Sequence, residues 1–263
     1  MKRKIIYISL ITAIILVIFG YGMYYYYAPP KERKPYPITK NYDDTIRVAY
    51  IGDSWAFFHQ PFDKRISDSL SNKLKCPTIV SSLGFCGRSS KEIYWRLFDD
   101  TIMKSFMSKG YDYCIISAGI NDSNKKMSTL YYIRSIEYII NFMLFNNTTP
   151  IIIEIPDYDI EKMYRLEMPS RKLLRRFSKL FTGTSVNCKN DFRQALDDLF
   201  KVKNYKDKVY IIRYKTWNSN YTEDQITLYE DDGVHLNVKG YVKIDSCIIE
   251  TCLKDYQMKH GKD

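Results

Sequence analysis

Thr45-Ile46-Arg47-Val48-Ala49-Tyr50-Ile51-Gly52-Asp53-Ser54 is the stretch that decides the fold. Residues 45–51 form a short β-branched and apolar run, which reads as a buried strand ending at Gly52. Ser54 then begins the following turn. In an open sheet of parallel strands, the loops at the carboxyl ends line the ligand crevice, so this reading puts Ser54 at the active edge.

Outward from that strand, strands and helices alternate. Further strands are expected near residues 77–82, 111–117, 149–155 and 209–214, and helices near 63–74, 89–107, 126–146, 168–182, 189–201 and 237–257. Ile66, Leu70 and Leu74 carry the helical spacing, and Ile151-Ile152-Ile153 the continuous apolar run of a strand covered on both faces. The pattern predicts an α/β protein: a three-layer, doubly wound (flavodoxin-like) parallel sheet of about five strands.

Three more short blocks follow Gly52-Asp53-Ser54-Trp55: Gly84 to Gly87, Gly119-Ile120-Asn121-Asp122, and Asp232-Gly233-Val234-His235. Together they supply a serine nucleophile, oxyanion donors and an Asp-His pair. The blocks, in this order, resemble the SGNH/GDSL hydrolase superfamily over roughly residues 45–255. The resemblance implies a serine hydrolase with Ser54 as nucleophile, His235 as base held by Asp232, and an oxyanion hole made by the amides of Ser54 and Gly87 with Asn121. Departures from the family pattern are Trp55, where Leu is usual, and Cys86 and Arg88 flanking the glycine.

The residues support these roles in their own right. Asp232 precedes His235 by three positions in a polar loop, a spacing that folds a carboxylate back onto Nδ1 and leaves Nε2 for the serine proton. The competing reading makes Asp232 a helix cap and His235 a surface residue. Gly119 lets the chain turn so that the Asn121 amide faces a developing oxyanion, unless Asn121 simply bonds its own backbone. Asp53 and Asp122 are expected to tie loops together. His59 has no local carboxylate partner in Phe57-Phe58-His59-Gln60-Pro61 and reads as a pocket-wall or structural residue, while His260 reads as solvated.

Lys2-Arg3-Lys4 precedes an uncharged stretch from Ile5 to Ala28, long enough as a helix to cross the roughly 30 Å hydrocarbon core of a bilayer. Residues 1–28 are read as a membrane anchor, 29–44 as a linker beginning at Pro29-Pro30, and 45–263 as the hydrolase domain. The basic head favours a cytoplasmic N-terminus with the domain outside, and Tyr24 to Tyr27 form an aromatic interface belt. The rival is a cleaved signal peptide, giving a secreted or periplasmic chain, with Gly20-Tyr21-Gly22 as the cleavage site.

The 263 residues are 45% hydrophobic and 27% charged, the composition of a globular chain with a real core. The net charge of +10 favours anionic partners such as acidic glycans or phospholipid headgroups, and the membrane segment argues against nucleic acid. Between Asp157 and Asn190, Lys162, Arg165, Arg171, Lys172, Arg175, Arg176 and Lys179 alternate with Met163, Tyr164, Leu173, Leu174 and Phe177, which fits a solvated basic helix or a cationic lid over the crevice. Six cysteines show no metal spacing, Cys247 and Cys252 are not placed to bridge each other, and the chemistry calls for no metal or cofactor. The resemblance, taken with the compartment, implies a membrane-anchored esterase removing an acyl group, acetyl foremost, from an envelope or extracellular glycan. An O-acyltransferase, a lipase or thioesterase, and a non-catalytic glycan-binding module are the alternatives.

Overall fold

The opening stretch forms an interior strand of the sheet, Ile46–Gly52, ending at Gly52. The computed structural model describes residues 2–40, 43–160, 162, 165, 168–184 and 188–261; Met163 and Tyr164 of the expected lid lie outside them. Strand β1 (Ile46–Gly52) has β2 (Thr78–Gly84) on one side and β3 (Tyr113–Ser117) on the other, and β4 (Thr149–Ile153) and β5 (Tyr210–Ile212) continue outward from β3. All pairings are parallel and the order is β2-β1-β3-β4-β5, the flavodoxin-like arrangement. Val48 to Ile51, Cys114 to Ile116 and Ile151 to Ile153 are at most 2% exposed, as strands covered by helices on both faces must be.

The helices follow the expected order with informative shifts. The run expected as one helix over 89–107 divides into α4 (Ser90–Asp99) and α5 (Thr101–Met107), because the Asp100 carboxylate accepts from Met103 N at 2.9 Å and starts a new helix. Likewise α7 (Thr129–Phe145) begins three residues later than expected, at the cap formed by Ser128 Oγ and Tyr131 N. Among the short helices not foreseen are α2 (Ser54–His59), α6 (Ile120–Asn124) and α10 (Tyr221–Leu228). The expected helices also include α3 (Asp63–Leu74), α8 (Pro169–Thr182), α9 (Lys189–Lys203) and α11 (Val238–His260).

Helix α1 (Lys2–Tyr27) projects from the domain, and its segment Ile6–Tyr27 is by length and composition able to cross a membrane. Its far end is docked. Met23 and Tyr27 pack on Met127 and Tyr131, and the Tyr27 hydroxyl hydrogen-bonds Ser178. Tyr24 and Tyr25 are exposed, whereas Tyr27 is buried against the domain, so the four-tyrosine belt has one member turned inward. Lys91, 2% exposed, donates from Nζ to the carbonyls of Tyr25 at 2.7 Å and Ala28 at 2.8 Å, satisfying orphan acceptors at the end of α1. The rings of Trp95, Tyr131 and Tyr25 surround the same ammonium at 4.5 to 5.2 Å.

Residues 29–40 hold no regular secondary structure but lie along the domain. Arg33 N donates to Tyr94 Oη at 2.7 Å, Tyr36 Oη to Leu97 O at 2.8 Å, and Ile38 N to Asn146 Oδ1 at 2.8 Å.

Candidate active site

The order β2-β1-β3 means that connections leave β1 and β3 in opposite directions, opening a crevice between their carboxyl ends. The blocks that follow β1 and β3 sit there. Asp53 ends the loop after β1 and caps α2, its carboxylate accepting from Trp55 N at 3.0 Å. Ser54 is consequently the first residue of α2, where a backbone N–H has no partner within the helix. After β3, Gly119 turns the chain into α6 at a φ of +118°. A Cβ there would lie 2.5 Å from Ile155 Cδ1 and 2.8 Å from Tyr132 Cε2, so both backbone and packing require glycine.

The loop holding Asp232 and His235 is fixed by a bridge between Tyr229 and Leu236, with Glu230 N donating to His235 O at 2.8 Å and Asn237 N to Leu228 O at 2.9 Å. It is also tied to α2, since Trp55 Nε1 donates to Val234 O at 3.2 Å. His235 Nε2 lies 2.9 Å from Ser54 Oγ, 181 positions away in sequence, and Nδ1 lies 2.5 Å from Asp232 Oδ2. The other oxygen, Asp232 Oδ1, accepts from the backbone amides of Val234 at 2.8 Å and His235 at 2.9 Å. The carboxylate therefore fixes the ring and its own loop together. Phe58 sets its ring edge-on to the imidazole at 5.2 Å.

Electrostatics follow from these contacts. Burial works to lower the His235 pKa, but the hydrogen bond and charge of Asp232 outweigh it and raise the net value above 6.5. Burial pushes the Asp232 carboxyl up, while the His235 ring and the two backbone donors hold it down at about 2. Asp53, 1% exposed, is driven by burial to about 7, and Asp122, fully buried, to about 6. Asp122 does tie loops, accepting from Ser90 N at 2.8 Å and Ser90 Oγ at 2.5 Å.

Gly84 and Gly87 divide their duties. Gly84 ends β2 against α2, and a Cβ there would fall 1.9 Å from Phe57 N, so it is a packing glycine. Gly87 instead lines a cavity of about 410 Å³ together with Asn121. Asn121 Nδ2 lies 3.4 Å from Asp53 Oδ2, which turns it toward the Ser54 turn. The same cavity is lined by Arg88, Lys125, Arg171 and Arg175, with Leu174 and Tyr26. Of the expected cationic lid, Arg171 and Arg175 reach this cavity; Arg88, noted beside the second-block glycine, and Lys125 join them, a convergence that their local sequence does not announce. Cys86 is exposed on its rim, and all six cysteines carry free thiols.

His59 requires a correction. It has a carboxylate partner one helical turn away, Asp63, at 2.9 Å from Nδ1, and a second in Asp245 at 2.9 Å from Nε2. Fully buried between them, it is a structural residue of the α2–α11 packing. His260 is exposed as expected, its ring tilted against that of Tyr256.

No protein-family profile matches the chain, and no curated protein sequence does. Solved structures do. An acetylxylan esterase from Geobacillus stearothermophilus aligns over 78% of this chain and 93% of its own at 15% identity, with a TM-score of 0.52. A member of the lipolytic protein G-D-S-L family from Veillonella parvula aligns over 78% and 97% at 15% identity and 0.51. A lipase/acylhydrolase from Enterococcus faecalis aligns over 78% and 94% at 14% identity and 0.50. The chain has the GDSL hydrolase fold. Within that GDSL fold, the edge where β1 and β3 end carries Ser54, Asn121 and, folded across from the loop before α11, His235.

Proposed function

We propose that this chain is a membrane-anchored serine esterase whose domain lies outside the cytoplasm and removes an acyl group, acetyl foremost, from a glycan. The observation that carries the proposal is the unbroken hydrogen-bond chain from Asp232 through His235 to Ser54 Oγ. Such a chain activates a hydroxyl that is otherwise a weak nucleophile. Ser54 Oγ attacks the ester carbonyl while its proton passes to His235 Nε2. The oxyanion that forms is met by the amides of Ser54 and Gly87 and by Asn121 Nδ2. His235 returns the proton to the departing sugar oxygen, leaving an acyl-serine, and a water repeats the sequence to release the carboxylic acid and free Ser54.

The cavity wall of Arg88, Lys125, Arg171 and Arg175 favours a substrate carrying negative charge. An acetylxylan esterase among the structures sharing the fold supports the choice of an acylated glycan. Length and apolarity of Ile6–Tyr27 support the anchor, and the basic head supports its orientation.

The test is hydrolysis by the full chain in detergent of short and long acyl esters and of acetylated glycans, with Ser54→Ala as control. Acid release that falls by a factor on the order of 10⁵ to 10⁶ in the alanine variant supports the reading. An alanine variant that keeps its activity refutes the mechanism, and acyl transfer to a sugar hydroxyl in place of water reassigns the enzyme as a transferase.

A further inference from the structure

Helix α8 carries an apolar face that no described residue covers. Leu173 and Phe177 lie one turn apart and are 56% and 44% exposed, with Leu174 at 45% beside them and Met168 just before the helix at 68%. The other side faces the domain: Ser178 is buried on Tyr27, and Arg175 donates to Asn124 Oδ1 at 2.8 Å. Lys172 and Arg176, each preceding one of the exposed apolar residues, are themselves exposed. An exposed apolar strip edged by cations is the surface of a helix that lies in a membrane interface.

Two placements select the occupant. The strip belongs to the helix that holds the end of α1 through Ser178 and Tyr27, so it sits where an apolar span leaves the domain. Its cations complement anionic lipid and oppose a second copy of the same face.

We propose that α8 lies in the headgroup layer of an anionic bilayer, Leu173 and Phe177 toward the acyl chains and Lys172 and Arg176 toward lipid phosphates. This rests on the reading of α1 as a membrane span and adds a second, peripheral contact to it. Because Arg171, Leu174 and Arg175 also line the cavity beside Gly87 and Asn121, one wall of the candidate site is then the membrane-bound helix itself.

The experiment places the full chain in nanodiscs of equimolar phosphatidylcholine and phosphatidylglycerol brominated either high on the acyl chain or near its end. Emission of Phe177→Trp is read above the wild-type background of Trp55, Trp95 and Trp217, and Ile14→Trp in α1 reports the span. The added Phe177→Trp emission should fall roughly twofold with shallow bromines and little with deep ones, whereas Ile14→Trp responds to the deep ones. Lys172→Gln/Arg176→Gln, or discs of phosphatidylcholine alone, should abolish the shallow quenching. If Ile14→Trp is quenched and Phe177→Trp is not, the α8 proposal fails while the anchor stands. If neither is quenched, the anchor fails and takes the proposal with it. Shallow quenching indifferent to lipid charge and to the double variant overturns the assignment to an anionic surface.

Discussion

Replacing Asp232 by Asn keeps the shape of the carboxylate and changes only what it offers to hydrogen bonds. Asp232 Oδ1 accepts from two backbone amides at 2.8 and 2.9 Å, contacts that an Asn carbonyl preserves. Its NH₂ group then faces His235 Nδ1, where Asp232 Oδ2 now sits at 2.5 Å. A donor at that point forces Nδ1 to accept, so the ring proton moves to Nε2, the nitrogen 2.9 Å from Ser54 Oγ. That tautomer has no lone pair for the serine proton. A base held in the wrong tautomer costs about 10⁴ in kcat, or roughly 5.5 kcal/mol at 1.36 kcal/mol per decade.

A second readout accompanies the first. As the proposed base, His235 must be neutral to accept a proton, so kcat/KM should rise with pH through its pKa, and in the wild type that midpoint should lie above 6.5 because Asp232 outweighs burial. Removing that charge leaves burial opposed only by the more distant Asp53 and Glu230, and the residual activity of Asp232→Asn should have its midpoint below that of the wild type. Ester hydrolysis measured across pH for both proteins, with circular dichroism to establish folding, checks the pair of effects. More than a tenth of the activity retained, or a midpoint that moves upward, refutes the reasoning.

Asn121→Ala removes one proposed oxyanion donor and should lower kcat by roughly 10² to 10³ with KM and pH profile little changed, measured by steady-state kinetics. His59→Ala strips a buried ring from between Asp63 and Asp245 and should destabilise the fold by about 3–5 kcal/mol in urea titration, while the folded fraction keeps its kcat. Burial opposes its charge, yet the two carboxylates raise the His59 pKa, so this stabilisation is full below about 6.5 and fades as pH climbs through the folded value. Lys91→Met leaves the carbonyls of Tyr25 and Ala28 without their donor, and proteases added to the reconstituted protein should then cut within residues 29–44 several-fold faster, by analogy with other losses of about 1–3 kcal/mol.

Much of this was readable from the chain because the signals are local. Ile151 to Ile153 and Cys114 to Ile116 announce central strands by being apolar without alternation, and the order of strands and helices then leaves few topologies. The Asp232–His235 contact spans three residues and follows from spacing. What escaped was set by single side chains or by distant ones. Asp100 splits a helix through one hydrogen bond, and six residues from Ser54 to His59 are too few to show a period. Asp63 lay within reach of His59 by the i, i+4 rule, but Asp245 is 186 positions away. The cavity cations come from segments around 88, 125 and 171–175 that only the fold brings together.

The clasp that Lys91 makes on the end of α1 bears on what the enzyme can reach. A free chain of the length of residues 29–44 would wander over roughly 20–25 Å, letting the domain patrol a dome above its root. Here residues 29–40 run along the domain surface and the helix end is gripped by buried groups, so the domain and its root move as one piece. With α1 as the proposed membrane span, Ser54 would have a single standing height over the bilayer, whatever the lipid does laterally. Ester bonds at that level are within its range, and the same bonds farther out on a polymer must be brought down to it.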